Sequence, residues 1–267
     1  MPIASLPGDL QMYYEDDDFT DPWAASETVI LHHGNAKNSQ LWYAWVPLLA
    51  GEYRVIRLDA RGFGKSSVPE PGYSWSLEGF AADLAHLMDH LDIEQAHLIG
   101  ETIGGTIALQ FAYQFPQRLQ TVTACTSPYK FVGVPSYLDY YNLVKEQGIE
   151  AWVRQTADRR LEPGQSDPRH HEWYVQQMIQ TAPHVVMETL QYLSGVDLTP
   201  ILPQITLPAL VMVGERSSMN TPERAQSMAT RLAHGQLAEV PGASGYVQHS
   251  APRQCVDIWR NFVKEST

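Results

Sequence analysis

The sequence predicts an α/β protein with a mostly parallel sheet and one helical insertion. Two observations predict it. Short β-branched, apolar runs alternate with segments whose apolar residues recur every three or four positions, the rhythm of strand–helix–strand units. That rhythm stops near Pro128 and resumes at "PALVMVGE".

The elements follow in order. "TVILHHG" is apolar and stops at Gly34; "EYRVIRLDARGFG" carries Val55, Ile56 and Leu58 and stops at a glycine-rich turn; "AHLIGE" is the third such run. Each reads as a strand buried on both faces. "SLEGFAADLAHLMDHLDI" spaces Leu77, Phe80, Leu84, Leu87, Met88 and Leu91 as a helix, with Ser76 as its cap. "GGTIALQFAYQFP" is a second helix, stopped at Pro116, and "LQTVTACTS" returns as a strand. Residues 129–200 hold four amphipathic helical patterns: "SYLDYYNLVKEQG", "IEAWVRQTADRRL", "HHEWYVQQMIQ" and "PHVVMETLQYLSG". "PALVMVGE" and "GQLAEVPG" resume the strands, and "PRQCVDIWRNFVKE" closes with a helix. The expected organisation is a core of residues 1–128 and 201–267 with a helical cap of residues 129–200.

Composition narrows the function classes. A chain of 267 residues suits one medium domain, or a core with an insertion. Hydrophobic content of 44% against 18% charged reads as an ordinary soluble globular protein. The net charge of −12, with no basic run to offset it, argues against nucleic acid or an anionic membrane as partner. Cys125 and Cys255 are far apart and have no CxxC partner, so neither a disulfide framework nor a zinc site is expected. "MPIASLPGDLQMYYEDD" lacks the charged and apolar regions of a signal peptide, and no apolar run is long enough to span a bilayer. The expectation is a cytoplasmic monomer or homodimer that acts on a small molecule, with no cofactor and no metal. The pair His170-His171 reads as a solvated loop pair.

Five motifs stand in a telling order: His33-Gly34 followed by Trp42; "DARGFGKS", Asp59 to Ser66; "GETIGG", Gly100 to Gly105; "PALVMVGE"; and "VPGASGYVQHSAP". Together they resemble the α/β-hydrolase superfamily, in particular its enol-lactone hydrolase and haloperoxidase-like esterase branch. The resemblance implies an α/β-hydrolase fold, with "GETIGG" as the nucleophile elbow. In that elbow a sharp strand-to-helix turn presents the central side chain above the sheet, with backbone N–H groups aimed at a reacting carbonyl.

Acyl transfer by such an enzyme needs a nucleophile, a histidine and an orienting carboxylate. The resemblance places Thr102 at the nucleophile, Ser217 at the acid and Gly245 at the histidine. The region that carries the acid in some relatives reads Thr126-Ser127 and is also empty. The implied triad is therefore degenerate. His249 and Tyr246 are the substitutes on the same loop, although the Tyr246 ring can equally fill the space left by an imidazole. The implied oxyanion donors are the backbone N–H groups of Asn35 and Ile103. Arg216, beside the acid position, is a candidate carboxylate clamp or a surface arginine. Glu101, His33 and Trp42 complete the candidate substrate contacts, with His33 also readable as a structural group holding its loop. Asn35 resembles a halide-binding asparagine of the dehalogenase branch, but the aspartate nucleophile of that branch is absent at Thr102. The insertion is rich in aromatic residues, Tyr129, Phe131, Tyr137, Tyr140, Tyr141, Trp152, Trp173 and Tyr174; the resemblance implies that such a cap shapes an apolar pocket for a cyclic or aromatic substrate, while helical spacing alone assigns most of them to the core.

Three functions follow. The first is an enzyme that uses the oxyanion hole and cap pocket for non-triad chemistry: decarboxylation, isomerisation, C–C cleavage or cofactor-free oxygenation. The second is a weak esterase or lactonase with a Thr102-centred site. The third is a non-catalytic ligand-binding or sensor protein.

Overall fold

The computed structural model describes residues 2–134, 136–162, 167–218 and 220–266. Eight strands form one sheet in the order β1-β2-β4-β3-β5-β6-β7-β8. They are β1 (Ile3–Leu6), β2 (Leu10–Asp17), β3 (Thr28–His32), β4 (Arg54–Leu58), β5 (Ala96–Glu101), β6 (Leu119–Cys125), β7 (Ala209–Gly214) and β8 (Gly235–Val240). The last six run parallel, and each strand expected from the apolar runs is present. The β1–β2 hairpin adds an antiparallel edge that the sequence reading did not place. Gly8 and Asp9, both at positive φ, turn the chain there.

The helices are α1 (Val46–Leu49), α2 (Leu77–His90), α3 (Ile103–Gln114), α4 (Ser136–Arg160), α5 (Pro168–Ile179), α6 (Pro183–Leu193), α7 (Pro222–Arg231), α8 (Val247–Ser250) and α9 (Pro252–Ser266). Ser76 caps α2 by accepting from the Gly79 amide, as its position before the helical pattern predicts. The two patterns before Arg160 form one element broken at Gly148, whose φ of 87° only glycine adopts cheaply. Helix α7, begun by the Thr221 cap, was not anticipated.

Strand side chains alternate between two cores. Ile30 enters one, with residues of α2 and α3; Val29 and Leu31 enter the other, with residues of α1 and α9. Both faces of β3, β5 and β7 are thereby buried. Helices α4, α5 and α6, all between β6 and β7, share a third core with Ala36 and Leu41 of the segment after β3. That packing lays the inserted helices over the carboxyl ends of β3 and β5, where open α/β sheets place their sites. Among the described residues no helix is long and apolar enough to cross a membrane.

Candidate active site at the elbow after β5

The turn between β5 and α3 is built by close backbone approaches. A Cβ on Gly100 would stand 2.3 Å from the Gly104 carbonyl oxygen, and one on Gly104 would stand 2.3 Å from the His33 oxygen. On Gly105 it would meet Ser127 Oγ at 1.9 Å. Only hydrogen fits at these positions. Thr102, between them, has φ 49° and ψ −117°, a conformation that costs a β-branched residue about 1–3 kcal/mol. Its amide donates to the Cys125 carbonyl at 2.9 Å, which ties the strained turn to β6. Its hydroxyl lies against Gly34, where a Cβ would stand 2.0 Å from Thr102 Oγ1.

Two backbone amides belong to residues that line a cavity with Thr102. Ile103 is the first residue of α3, so its N–H has no acceptor inside the helix. The Asn35 N–H likewise donates to no carbonyl among the described residues.

Beneath the elbow sits a buried ionic group. The Glu101 carboxylate is fully buried and takes Lys37 Nζ at 2.6 Å. His249 Nε2 lies 2.9 Å from the same carboxylate oxygen and 3.1 Å from Lys37 Nζ. Gln248 donates to Glu101 as well, and the Gly34 amide donates to its other oxygen at 3.3 Å. Lys37 also faces the Tyr246 ring at 4.6 Å. Burial alone would raise the Glu101 pKa, but Lys37 and His249 override it and hold the carboxyl well below the usual range. Burial lowers Lys37 to about 8 and lowers His249, in each case against the pull of Glu101. The group clamps the Gly34–Lys37 segment, and with it the Asn35 amide, onto the end of β5.

This fold is shared with known proteins. The alpha/beta hydrolase fold model matches residues 27–252. The chain belongs to the α/β-hydrolase fold family. It is 26% identical over 211 residues to 3-oxoadipate enol-lactonase 2 of Acinetobacter baylyi, covering 78% of each chain. It is 28% identical over 249 residues to the pimeloyl-(acyl-carrier protein) methyl ester esterase of Aeromonas hydrophila subsp. hydrophila, covering 88% of this chain and 94% of the relative. The solved enol-lactonase from Burkholderia xenovorans LB400 superposes with a TM-score of 0.90 at 22% identity, over 98% of this chain and 100% of its own.

The residues singled out in the sequence are arranged as follows. A side chain at Gly245 would meet the backbone at the end of α4: its Cβ would stand 2.7 Å from the Arg160 carbonyl oxygen. That oxygen accepts from the Tyr246 amide at 2.8 Å. Glu162 completes the lock by accepting from the amides of Ser244 and Gly245 and from the Ser244 hydroxyl. Ser217 is buried, and its hydroxyl meets no partner among the described residues. The Thr102 hydroxyl hydrogen-bonds to no histidine among the described residues. His249 does turn inward, but onto Glu101 rather than Thr102.

Other candidates separate into packing and pocket groups. The His33 imidazole donates through Nδ1 to the Gly34 carbonyl at 2.7 Å and accepts at Nε2 from the Ala60 amide at 2.9 Å. Burial lowers it to about 4 and its neighbour His32 to about 3, so both are neutral and His33 holds two loops together. Trp42 is fully buried against Trp45 and lines none of the cavities around Thr102. Arg216 is exposed, donates to the Gly242 carbonyl and lines neither cavity beside Thr102, although Ser218 and Asn220 of the same loop line one of them. Tyr246 does line the cavity with Thr102. Burial pushes its phenol up to about 12, against the pull of the neighbouring Arg160 guanidinium.

Four residues of this site went unnoticed in the sequence: Lys37, Arg160, Glu162 and Gln248. A lone loop lysine gives no signal. Arg160 does give one: the buried positions of its helix are Ile149, Trp152, Val153, Thr156, Ala157 and Arg160, one face at helical spacing.

Around Thr102 lie two cavities that share Thr102, Tyr137, Tyr140 and Tyr246. The smaller adds Asn35, Trp152 and Arg160. The larger adds Lys130, Arg159 and Arg224. Among the described residues no group of three His, Cys, Asp or Glu is placed to hold a metal.

Proposed function

We propose that this α/β-hydrolase is an enzyme that stabilises negative charge on the carbonyl oxygen of a small substrate with the Asn35 and Ile103 amides, without using Thr102 as a nucleophile. The observation that carries this reading is the elbow itself. Thr102 holds a φ of 49°, and among the described residues neither amide has an acceptor and no base contacts the Thr102 hydroxyl. Preorganised donors of this kind often supply the largest catalytic contribution. They serve an enolate as well as a tetrahedral intermediate, so decarboxylation, isomerisation or C–C cleavage of a carbonyl compound fits them. Tyr246 keeps its proton at neutral pH and lines the same cavity, which suits it to return a proton to an enolate. Residues 129–200 act in this reading as the cap that closes the site.

A second reading is favoured by the relatives, which are named as a lactonase and an esterase: hydrolysis of a lactone or ester at a Thr102-centred site. Thr102→Ala separates the two. The wild type and variant are assayed by NMR against 3-oxo acids, enol-lactones and p-nitrophenyl esters. The first reading expects turnover of a keto acid or enol-lactone that survives Thr102→Ala within about threefold. Ester or lactone hydrolysis that falls by about 10³-fold or more in the variant sinks it in favour of the second. No turnover of any panel member refutes both.

A further inference from the structure

The cavity beside Thr102 is rich in donors and poor in acceptors. Arg160 is 3% exposed and lines this cavity. Its guanidinium lies over the Trp152 ring at 4.7 Å, donates weakly to Met178 Sδ at 3.5 Å and interacts with the Tyr246 hydroxyl, which is no counter-ion. Among the described residues it has no carboxylate partner. Glu162, two residues on, is turned away onto Ser244 and Gly245. Glu101 is already taken by Lys37. Two further donors belong to residues lining the same cavity and have no acceptor among the described residues: Asn35 Nδ2 and Trp152 Nε1. Asn35 cannot turn its amide round, because its oxygen accepts from the Ala36 amide and the Thr189 hydroxyl.

Charge arithmetic points the same way. The buried group contains two cations, Lys37 and Arg160, and one carboxylate, Glu101. A buried guanidinium without a counter-ion is costly, and buried donors without acceptors are rare in folded proteins. One further negative charge in this cavity would balance Arg160, and its acceptor lone pairs suit the unpartnered donors of the same lining.

We infer that this cavity receives a carboxylate of the substrate on Arg160, with Asn35 Nδ2 and Trp152 Nε1 as supporting donors. This deepens the proposed function by naming the substrate class, a small carbonyl compound that carries a carboxylate. A planar guanidinium matches a planar carboxylate by two parallel hydrogen bonds. A single charge balances the site, whereas a phosphate dianion would exceed it. The aromatic walls, Tyr137, Tyr140 and Tyr246, suit an apolar body between the carboxylate and the reacting carbonyl. The cationic rim of Arg159 and Arg224 has no ion pair among the described residues and draws anions toward the same opening.

The test is binding, not turnover, so it stands or falls apart from the Thr102→Ala result. Isothermal titration of the full-length protein uses hexanoate, its neutral isostere hexanamide, and inorganic phosphate. Hexanoate is expected to bind more tightly than the other two. Arg160→Met is expected to weaken hexanoate about 10- to 100-fold and leave hexanamide unchanged. A structural arginine would behave differently on melting. Here Arg160→Met melts at the same temperature or higher, because it removes an unpaired buried charge and keeps the side-chain volume. Hexanoate binding equal to that of hexanamide, tighter binding of phosphate, or unchanged hexanoate binding by Arg160→Met would each overturn the inference. A melting temperature lowered by several degrees in Arg160→Met would overturn it too.

Discussion

Lys37→Met probes the ionic group under the elbow most sharply. Lys37 and Glu101 are 2% and 0% exposed and 2.6 Å apart, so solvent does little to screen them. Methionine matches the volume of lysine, so the change removes the charge without opening a cavity. Breaking a buried pair by removing one partner costs about 3–5 kcal/mol. Glu101 still keeps His249 at 2.9 Å and the Gly34 amide at 3.3 Å, which places the expected loss near the lower end, about 3 kcal/mol. For a chain of this size that lowers Tm by roughly 6–12 °C. Glu101→Gln should cost a similar amount, because it strands the ammonium. The double variant should cost clearly less than the sum of the two, since neither charge is then left alone. The sign with pH is fixed by Glu101. Its folded-state pKa is depressed, so the contribution of the pair is present above the ordinary carboxylate pKa and fades as pH falls below it. The gap between wild type and Lys37→Met should therefore narrow in acid. Scanning calorimetry of the three variants at pH 7 and pH 4 measures all of this. Single-variant losses below about 1 kcal/mol, or full additivity in the double variant, would refute the reasoning.

Two more predictions rest on named contacts. Gly245→His should not create an esterase and should cost about 1–3 kcal/mol, because its Cβ would stand 2.7 Å from the Arg160 carbonyl oxygen; urea denaturation and p-nitrophenyl acetate hydrolysis check it, and gained hydrolysis would contradict it. Burial lowers His32 and His33 to about 3 and about 4, so the unfolded chain binds more protons than the native one below about pH 6.5. Stability should then fall as pH drops from 6.5 toward 4, by about 1.4 kcal/mol per unit for each histidine. Guanidinium titrations across that range measure the slope, and a flat profile would count against neutral buried imidazoles.

Most of the fold was legible because its signals are local. A parallel strand buried on both faces needs a mostly apolar run, and "VIL" of β3 and "ALVMV" of β7 supply it. The elbow glycines were legible because a tight turn admits nothing larger. The β1–β2 hairpin was less visible, since β1 has four residues and only every second one is buried. The site was legible in its backbone and not in its charges. Lys37 meets Glu101 across 64 residues, and no local pattern distinguishes a loop lysine bound for the interior from one bound for water. Arg216 and Arg160 show the same limit in two directions. Proximity to the acid position favoured Arg216, yet tertiary packing leaves it on the surface. Arg160 follows the exposed Arg159 in sequence, and only the helical phase assigns one to the cavity wall and the other to its rim. Gly245 had looked like a lost histidine; the Arg160 carbonyl oxygen beside it gives a steric reason why only glycine fits there.

The central claim is that the elbow survives as an anion-stabilising turn while Thr102 is chemically silent. Incubation of the wild-type protein with a fluorophosphonate, followed by intact-mass spectrometry, tests it most directly. The account predicts an unmodified mass. One phosphonyl adduct that maps to Thr102 and disappears in Thr102→Ala would contradict it.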